Sequence, residues 1–407
     1  MRGRALAVAL AIALTVSVAP AASAKADSLT TRMNAVNAML KERARAEVAH
    51  DRAAYEATID PKAPAAFHTA QMQSYDGLAS LPVRTLTYTA RADLSGDLTR
   101  AVNQSEYGNA PVLLVETSRA LTFGTYDDRP SLDDMWWTYV LRDGHWYVGG
   151  DDDVADLGLI TTVSLWDSGP VTSVTNADFL VLAHPNDAAR ANAVLALMES
   201  ALATLRQRWT LTWPGRLVVI VPGSPDELST MIQSTVDVTK FVAFVAYTFD
   251  PDTLRATSPR LYLQDTNLSQ YTEAGQVETL THELTHAAGS QYAGTFTPSW
   301  VHEGLADWVA GGTTKAYPRD RGAGTMAPRD DQFGAGSQTD IVRAYRDARS
   351  LIAELAKLKG TNAPFDLFKA LGADSVQPGG RSWIVDQSLK TVGVGSLADL
   401  ENAWVHA

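Results

Sequence analysis

The chain has 407 residues, 45% of them hydrophobic and 20% charged, a balance that fits a folded protein of two or three domains and excludes a disordered chain or a polytopic membrane protein. Thirty-four Lys and Arg stand against 46 Asp and Glu, for a formal charge of -12, which disfavours nucleic acid and anionic membrane surfaces as partners. Cysteine is absent, so disulfides, thiolate nucleophiles and cysteine-rich metal sites are excluded together, and any metal must be held by His, Asp or Glu.

Residues 1–24 have the form of a secretory signal: Arg2 and Arg4 give a positive start, Ala5 to Ala19 an apolar stretch, and Ala22-Ser23-Ala24 a small-residue cleavage site. The alternatives are a buried helix or an uncleaved anchor, but an apolar run of about 15 residues is short for a bilayer span. Cleavage would leave an acidic, secreted or extracytoplasmic protein with no stable membrane span.

The segment from Ser28 to about Ile59 is helical in pattern, with Met33, Val36, Met39 and Leu40 on one face and Asp60-Pro61 as its stop. A second helix is predicted around Ala65 to Tyr75. Then come four β-branched and aromatic runs, Val83 to Ala90, Val112 to Phe123, Met135 to Leu141 and Trp146 to Val148, with Asp143-Gly144 as a hairpin turn. Helices followed by an antiparallel sheet make residues 25–170 an α+β domain. Its Trp136-Trp137-Thr138-Tyr139-Val140 strand, followed by Arg142-Asp143-Gly144-His145-Trp146, resembles the NTF2-like cone. Asp151-Asp152-Asp153 lacks the Gly and Glu positions of an EF-hand loop and reads as a solvated turn.

A boundary near Asp167 to Val171 opens a second unit, 171–407, of mixed α and β texture. Ala188 to Arg208 is an amphipathic helix, Leu217 to Val221 a buried strand, and Pro225 to Gln233 a short helix. Two strands follow, Phe241 to Phe249 and Arg260 to Gln264, the second alternating Leu261, Tyr262 and Leu263 like an edge strand that could pair with an extended peptide.

The next segment carries chemistry. His282-Glu283-Leu284-Thr285-His286 lies in a helical setting, where residues four apart sit about 40° apart around the axis and about 6 Å along it, so two imidazoles can converge on one ion. Glu283 flanks that face, placed to take a proton from an activated water as general base. A catalytic zinc needs a third protein ligand and one open position. A metzincin would place it at position 292, which is Tyr292 here, and that reading fails at its essential residue. The other candidate is Glu303 in Trp300-Val301-His302-Glu303-Gly304-Leu305-Ala306-Asp307, a helix expected to open with Thr297 as N-cap and Pro298 in its first turn.

Together, His282-Glu283-x-x-His286 and Trp300-x-x-Glu303-Gly304-Leu305-Ala306 resemble the gluzincin branch of the zincin metallopeptidases, the thermolysin-like and aminopeptidase-like families, over the whole second unit. The resemblance implies that His282, His286 and Glu303 bind one Zn2+ and that Glu283 activates the water. The 16 residues between His286 and Glu303 fall short of the aminopeptidase spacing. Asp307 matches the position where thermolysin-like enzymes hold a carboxylate against a zinc-bound imidazole; its other reading is a solvent-facing acid. Tyr345 opens a stretch resembling the aminopeptidase-like helix that begins with a transition-state-stabilising Tyr, although the following Lys-Gly is absent, and an ordinary packing aromatic is its alternative. His302 points about 100° away from Glu303 and reads as a rim or packing residue, while His145 and His184 read as structural or exposed. Gly304 is expected to let the Glu303 helix and the His282–His286 helix approach closely, Gly311 to Thr339 to form a cleft wall, a lid or an insertion, and Asn362 to Ala407 a helical subdomain.

The expected function is an exported zinc peptidase acting on a peptide or protein substrate. Two rivals come from other classes: a scaffold protein with a non-catalytic zinc, and a small-ligand protein working through the N-terminal cone.

Overall fold

The computed structural model describes residues 28–407 except 234–240, 321–323, 335 and 374–379; the signal segment and those parts of the Gly311 to Thr339 stretch lie outside the described residues. The chain is mixed α+β. Its first part runs α1 (Leu29–Val48), α2 (Arg52–Glu56), α3 (Ala65–Ala79), β1 (Val83–Arg91), α4 (Ala92–Ser95), β2 (Val112–Phe123), β3 (Ser131–Arg142), β4 (His145–Gly150) and α5 (Leu165–Ser168). The four strands form an antiparallel sheet in the order β1-β2-β3-β4. Asp143 at φ 49° and Gly144 at φ 80° make the β3–β4 turn, the left-handed pair that a two-residue hairpin loop demands. The predicted first helix breaks after Val48, where His50 adopts φ 56°.

Between α1 and this sheet the interior is filled by the protein's own side chains. Arg43, 1% exposed, donates to Thr58 Oγ1 at 2.7 Å and to Tyr55 and Gln71, and lies over the Tyr55 ring. The third acid of the Asp151 to Asp153 turn accepts from Tyr107 and Thr138 at 2.5 Å each.

The second part runs β5 (Thr172–Thr175), β6 (Phe179–Ala183), α6 (Ala188–Arg208), β7 (Leu217–Val221), α7 (Pro225–Ile232), β8 (Ala243–Ala246), β9 (Arg260–Leu263), α8 (Asp265–Leu268), α9 (Glu273–Gly289), α10 (Ser299–Gly311), α11 (Gln338–Lys359), α12 (Ala363–Ala373), α13 (Gly380–Thr391) and α14 (Leu397–Val405). Its sheet has the order β5-β6-β7-β9-β8, with β6, β7 and β9 parallel and both outer strands antiparallel to their neighbours. The strand expected at the edge, Arg260 to Gln264, is therefore interior, and β8 holds the edge. The alternation of β9 has another cause, since both of its faces are covered: Leu261 and Leu263 join the core under the helices, and Tyr262 packs toward the first sheet.

That two-sided covering joins the halves. Leu180, Leu182, Val218 and Ile220, on the sheet face away from α6 and α9, share one buried cluster with Leu86, Leu113, Phe123 and Trp137 of the first sheet. At its margin Arg260 makes a bidentate pair with Asp127 at 2.6 and 2.8 Å, both side chains nearly buried. Asp127 also accepts from the Phe123 amide at 2.7 Å, so this buried charge pair has the extra hydrogen bonds without which desolvation exceeds the Coulombic gain. Among the described residues no helix is long and apolar enough to cross a membrane.

Candidate metal centre

Helix α9 supplies three of the residues. Thr272 caps its start by accepting from the Gly275 amide at 3.3 Å, and Leu280, Leu284, Ala287 and Ala288 bury one face. The remaining face carries His282, Glu283 and His286. Helix α10 buries Trp300, Val301, Leu305, Trp308 and Val309 and turns Glu303 and Asp307 toward α9. Its start differs from the expectation. The helix begins at Ser299 without a side-chain cap from its own flank; Thr297 instead accepts from the Gly294 amide at 3.2 Å, and Asp330, far along the chain, accepts from the Ser299 amide at 2.9 Å. Asp330 is paired with Arg381. Burial opposes the charge of Asp330, but these partners hold its carboxyl below the usual range, so an anion sits at the positive helix end. The segment after α10 therefore braces the ligand helix.

The three donors meet. His282 Nε2 and His286 Nε2 are 3.1 Å apart, and each lies 3.3 Å from Glu303 Oε2. Four-coordinate zinc with bonds of 2.0–2.1 Å separates its ligand atoms by about 3.3 Å, so these distances are the edges of a tetrahedral face. The donor set fits zinc in kind as well: two imidazoles and a carboxylate, with no thiolate in the whole chain. Asp307 Oδ1 accepts from His282 Nδ1 at 2.9 Å, which leaves Nε2 as the atom facing the group.

Electrostatics follow the geometry. Burial disfavours imidazolium at His282, yet its hydrogen bonds with Asp307 and Glu303 hold it well above the ordinary range. Burial likewise opposes ionisation of Glu303, yet the two imidazoles hold it well below the usual carboxylate range. A convergence that favours a proton this strongly also favours a divalent cation. Glu283 differs: burial pushes it up, against the nearby imidazoles and, to a lesser extent, the Val245 backbone of β8. Among the described residues no Lys or Arg pairs with it. A carboxylate shifted toward proton uptake beside a cation site has the character of a general base.

Tyr345, on α11, sits with its ring 6.2 Å from that of His282 and 5.2 Å from that of Phe333, and burial, with the nearby Glu303 carboxylate adding to it, pushes its phenol well above the ordinary range. His302 packs edge-on against Phe368 at 5.1 Å, and burial pushes it down to about 4; it stays neutral and outside the donor group. Tyr292 is spent elsewhere, donating to the Thr212 carbonyl at 2.8 Å. His184 bridges the Pro170 carbonyl and Glu227 at 2.8 and 2.9 Å, and His145 contacts its own turn at 3.1 Å. Sequence reasoning missed the Val245 backbone beside Glu283 and the Asp330 cap, both of them long-range and without a local signature.

No protein-family model matches the chain, and no curated protein matches it.

The two readings of Asp307 separate experimentally. Asp307→Ala is expected to weaken zinc binding by about 10- to 100-fold, because the imidazole loses the group that orients it, while the thermal midpoint stays nearly unchanged. Competition against a chromogenic chelator reads the affinity. An unchanged affinity would show that the Asp307 contact with His282 does not tune the metal site.

Proposed function

We propose that this chain is an exported zinc peptidase of the gluzincin type, its catalytic unit zincin-like and its N-terminal unit NTF2-like. The observation that carries the reading is the three-donor group with tetrahedral-edge spacing and a buried carboxylate, Glu283, beside it, which among the described residues has no Lys or Arg partner. A structural zinc needs its ligands only; a carboxylate kept beside them fits hydrolysis.

Bound zinc supplies a Lewis acid for the scissile carbonyl and lowers the pKa of a coordinated water to about 7. The remaining chemistry belongs to the chain. His282, His286 and Glu303 hold the ion, and Asp307 fixes the His282 tautomer. Glu283 accepts a proton at its carboxylate from the water whose oxygen adds to the scissile carbonyl carbon, and passes it to the leaving amine as the C–N bond breaks. The Tyr345 phenol, beside Glu303, is positioned to donate to an oxygen that gains charge. An extended peptide would lie along the open edge of β8, where Val245 already faces Glu283.

The test is metal removal. The purified chain is expected to hold one zinc, to cleave a mixed peptide library, to lose cleavage after chelation and to regain it with zinc. A chain that binds no divalent metal, or whose cleavage survives chelation, would sink the reading.

A further inference from the structure

A histidine outside the metal centre also joins the two halves. His184 follows β6 and lies between two glycines, Gly169 of the boundary segment and Gly223 after β7: a Cβ at Gly169 would stand 3.6 Å from His184 Cε1, and one at Gly223 3.4 Å from His184 Cδ2. The ring uses both nitrogens. Nδ1 is 2.8 Å from the Pro170 carbonyl, in the segment that leads from the first unit into β5, and Nε2 is 2.9 Å from Glu227 Oε1 in the first turn of α7. The other oxygen of Glu227 accepts from the Gly223 amide at 2.7 Å, which fixes the carboxylate.

A backbone carbonyl only accepts, so Nδ1 carries a hydrogen. A contact of 2.9 Å between Nε2 and a carboxylate oxygen then needs a second hydrogen, on the imidazole or on the acid. The pair therefore holds one proton more than a neutral histidine beside an ionised glutamate. A second carboxylate faces the same place: Asp187, just before α6, has its Oδ2 3.7 Å from the Cβ position of Gly223. Arg190, three residues on, is itself paired with Asp265. Burial opposes the imidazolium, but the hydrogen bonds to Pro170 and Glu227 and the charges of Glu227 and Asp187 hold His184 above the ordinary range. Side-chain exposures of 21% for His184 and 13% for Glu227 keep the pair from the full solvent screening of a surface ion pair.

The first unit holds α7 at its other end as well. Gln233, its C-cap, donates its side-chain amide to the Thr161 carbonyl, and Met231 belongs to the buried cluster shared by the two sheets. The helix is thus a bracket across the joint, one end on neutral contacts and the other on a proton.

We propose that His184 is a proton-dependent latch across this joint: as imidazolium it ties the boundary segment at Pro170 to α7 through Glu227, and when the Nε2 proton leaves for solvent two acceptors face each other and the start of α7 is released. A histidine raised by folding contributes stability that is complete below its unfolded value, about 6.5, and lost as pH rises through the folded value. The latch is therefore closed on the acid side and opens on the alkaline side, whether or not the metal centre hydrolyses peptides.

The test follows the full chain from about pH 5.5 to about pH 9 by histidine-selective NMR and by hydrogen exchange of α7, corrected for intrinsic rates. His184, assigned as the resonance that His184→Gln removes, is expected to titrate above the ordinary histidine value of about 6.5. At low pH His184→Gln should exchange its α7 amides faster than the wild type, by about tenfold for each pH unit of that upward shift, and the difference should close at high pH. Glu227→Gln, whose amide can donate to a neutral Nε2, is expected to keep α7 protected and to remove the pH dependence. A His184 that titrates at or below the ordinary value overturns the latch, whether or not the variants fold. An α7 difference of the same size at both ends of the pH range overturns it too, since it marks a packing contact, as does a pH dependence that survives Glu227→Gln.

Discussion

Glu283→Gln is expected to retain zinc at wild-type stoichiometry and lose peptide cleavage by about 10³-fold or more. Gln has nearly the same shape and volume and can still accept hydrogen bonds through its amide oxygen, so neither α9 nor the edge strand has cause to move. It cannot take up a proton, and general-base catalysis contributes about 10²- to 10⁴-fold. The substitution removes a buried charge whose ionised form burial already disfavours, so the folded state should be as stable as the wild type or slightly more so. Metal content by atomic absorption and initial rates on a fluorogenic peptide read both halves of the expectation. Equal rates in the two proteins would remove Glu283 from the role of base, while joint loss of metal and cleavage would make it part of the binding group.

Local pattern carried the secondary structure a long way. The bounds of β2, α6 and β7 follow directly from runs of β-branched residues or from helical spacing, and the His282 and His286 pair is visible because four-residue spacing on a helix is a local property. The strand β6 was missed although Phe179–Ala183 is five apolar residues in a row. Buried on both faces, such a strand shows no alternation, and its five-residue run looks the same as part of a buried helix. The opposite error occurred at β9, where alternation suggested an exposed edge but came from two different cores. The cap of α10 was read locally as Thr297, whereas Asp330 performs it from 31 residues away.

Gly304→Ala sets two effects of opposite sign against each other, and their sizes decide the outcome. In an exposed helix interior, replacing Gly by Ala stabilises by about 1 kcal/mol. At Gly304 a Cβ would stand 2.6 Å from the Ala348 carbonyl oxygen, 2.8 Å from the Ala348 carbonyl carbon and 2.9 Å from Ile352 Cγ1. The close approach therefore joins α10 to α11, the helix that carries Tyr345, and not to α9 as the sequence suggested; two of the three obstructing atoms are backbone. No rotamer change clears a backbone oxygen; one helix must shift, and overpacking of this kind typically costs about 1–3 kcal/mol, occasionally more. The net expectation is a loss of about 2 kcal/mol, visible as a lower urea midpoint with an unchanged slope. Because Glu303 immediately precedes Gly304, the same shift moves a donor against the two imidazoles, and zinc affinity should fall together with stability. Ile352→Val would trim a neighbouring side chain but not the Ala348 backbone, so it is expected to recover only a minor part of either loss. A Gly304→Ala protein as stable as the wild type, with full zinc affinity, would mean that α10 and α11 are not in this close contact, and the placement of Tyr345 beside Glu303 would fall with it.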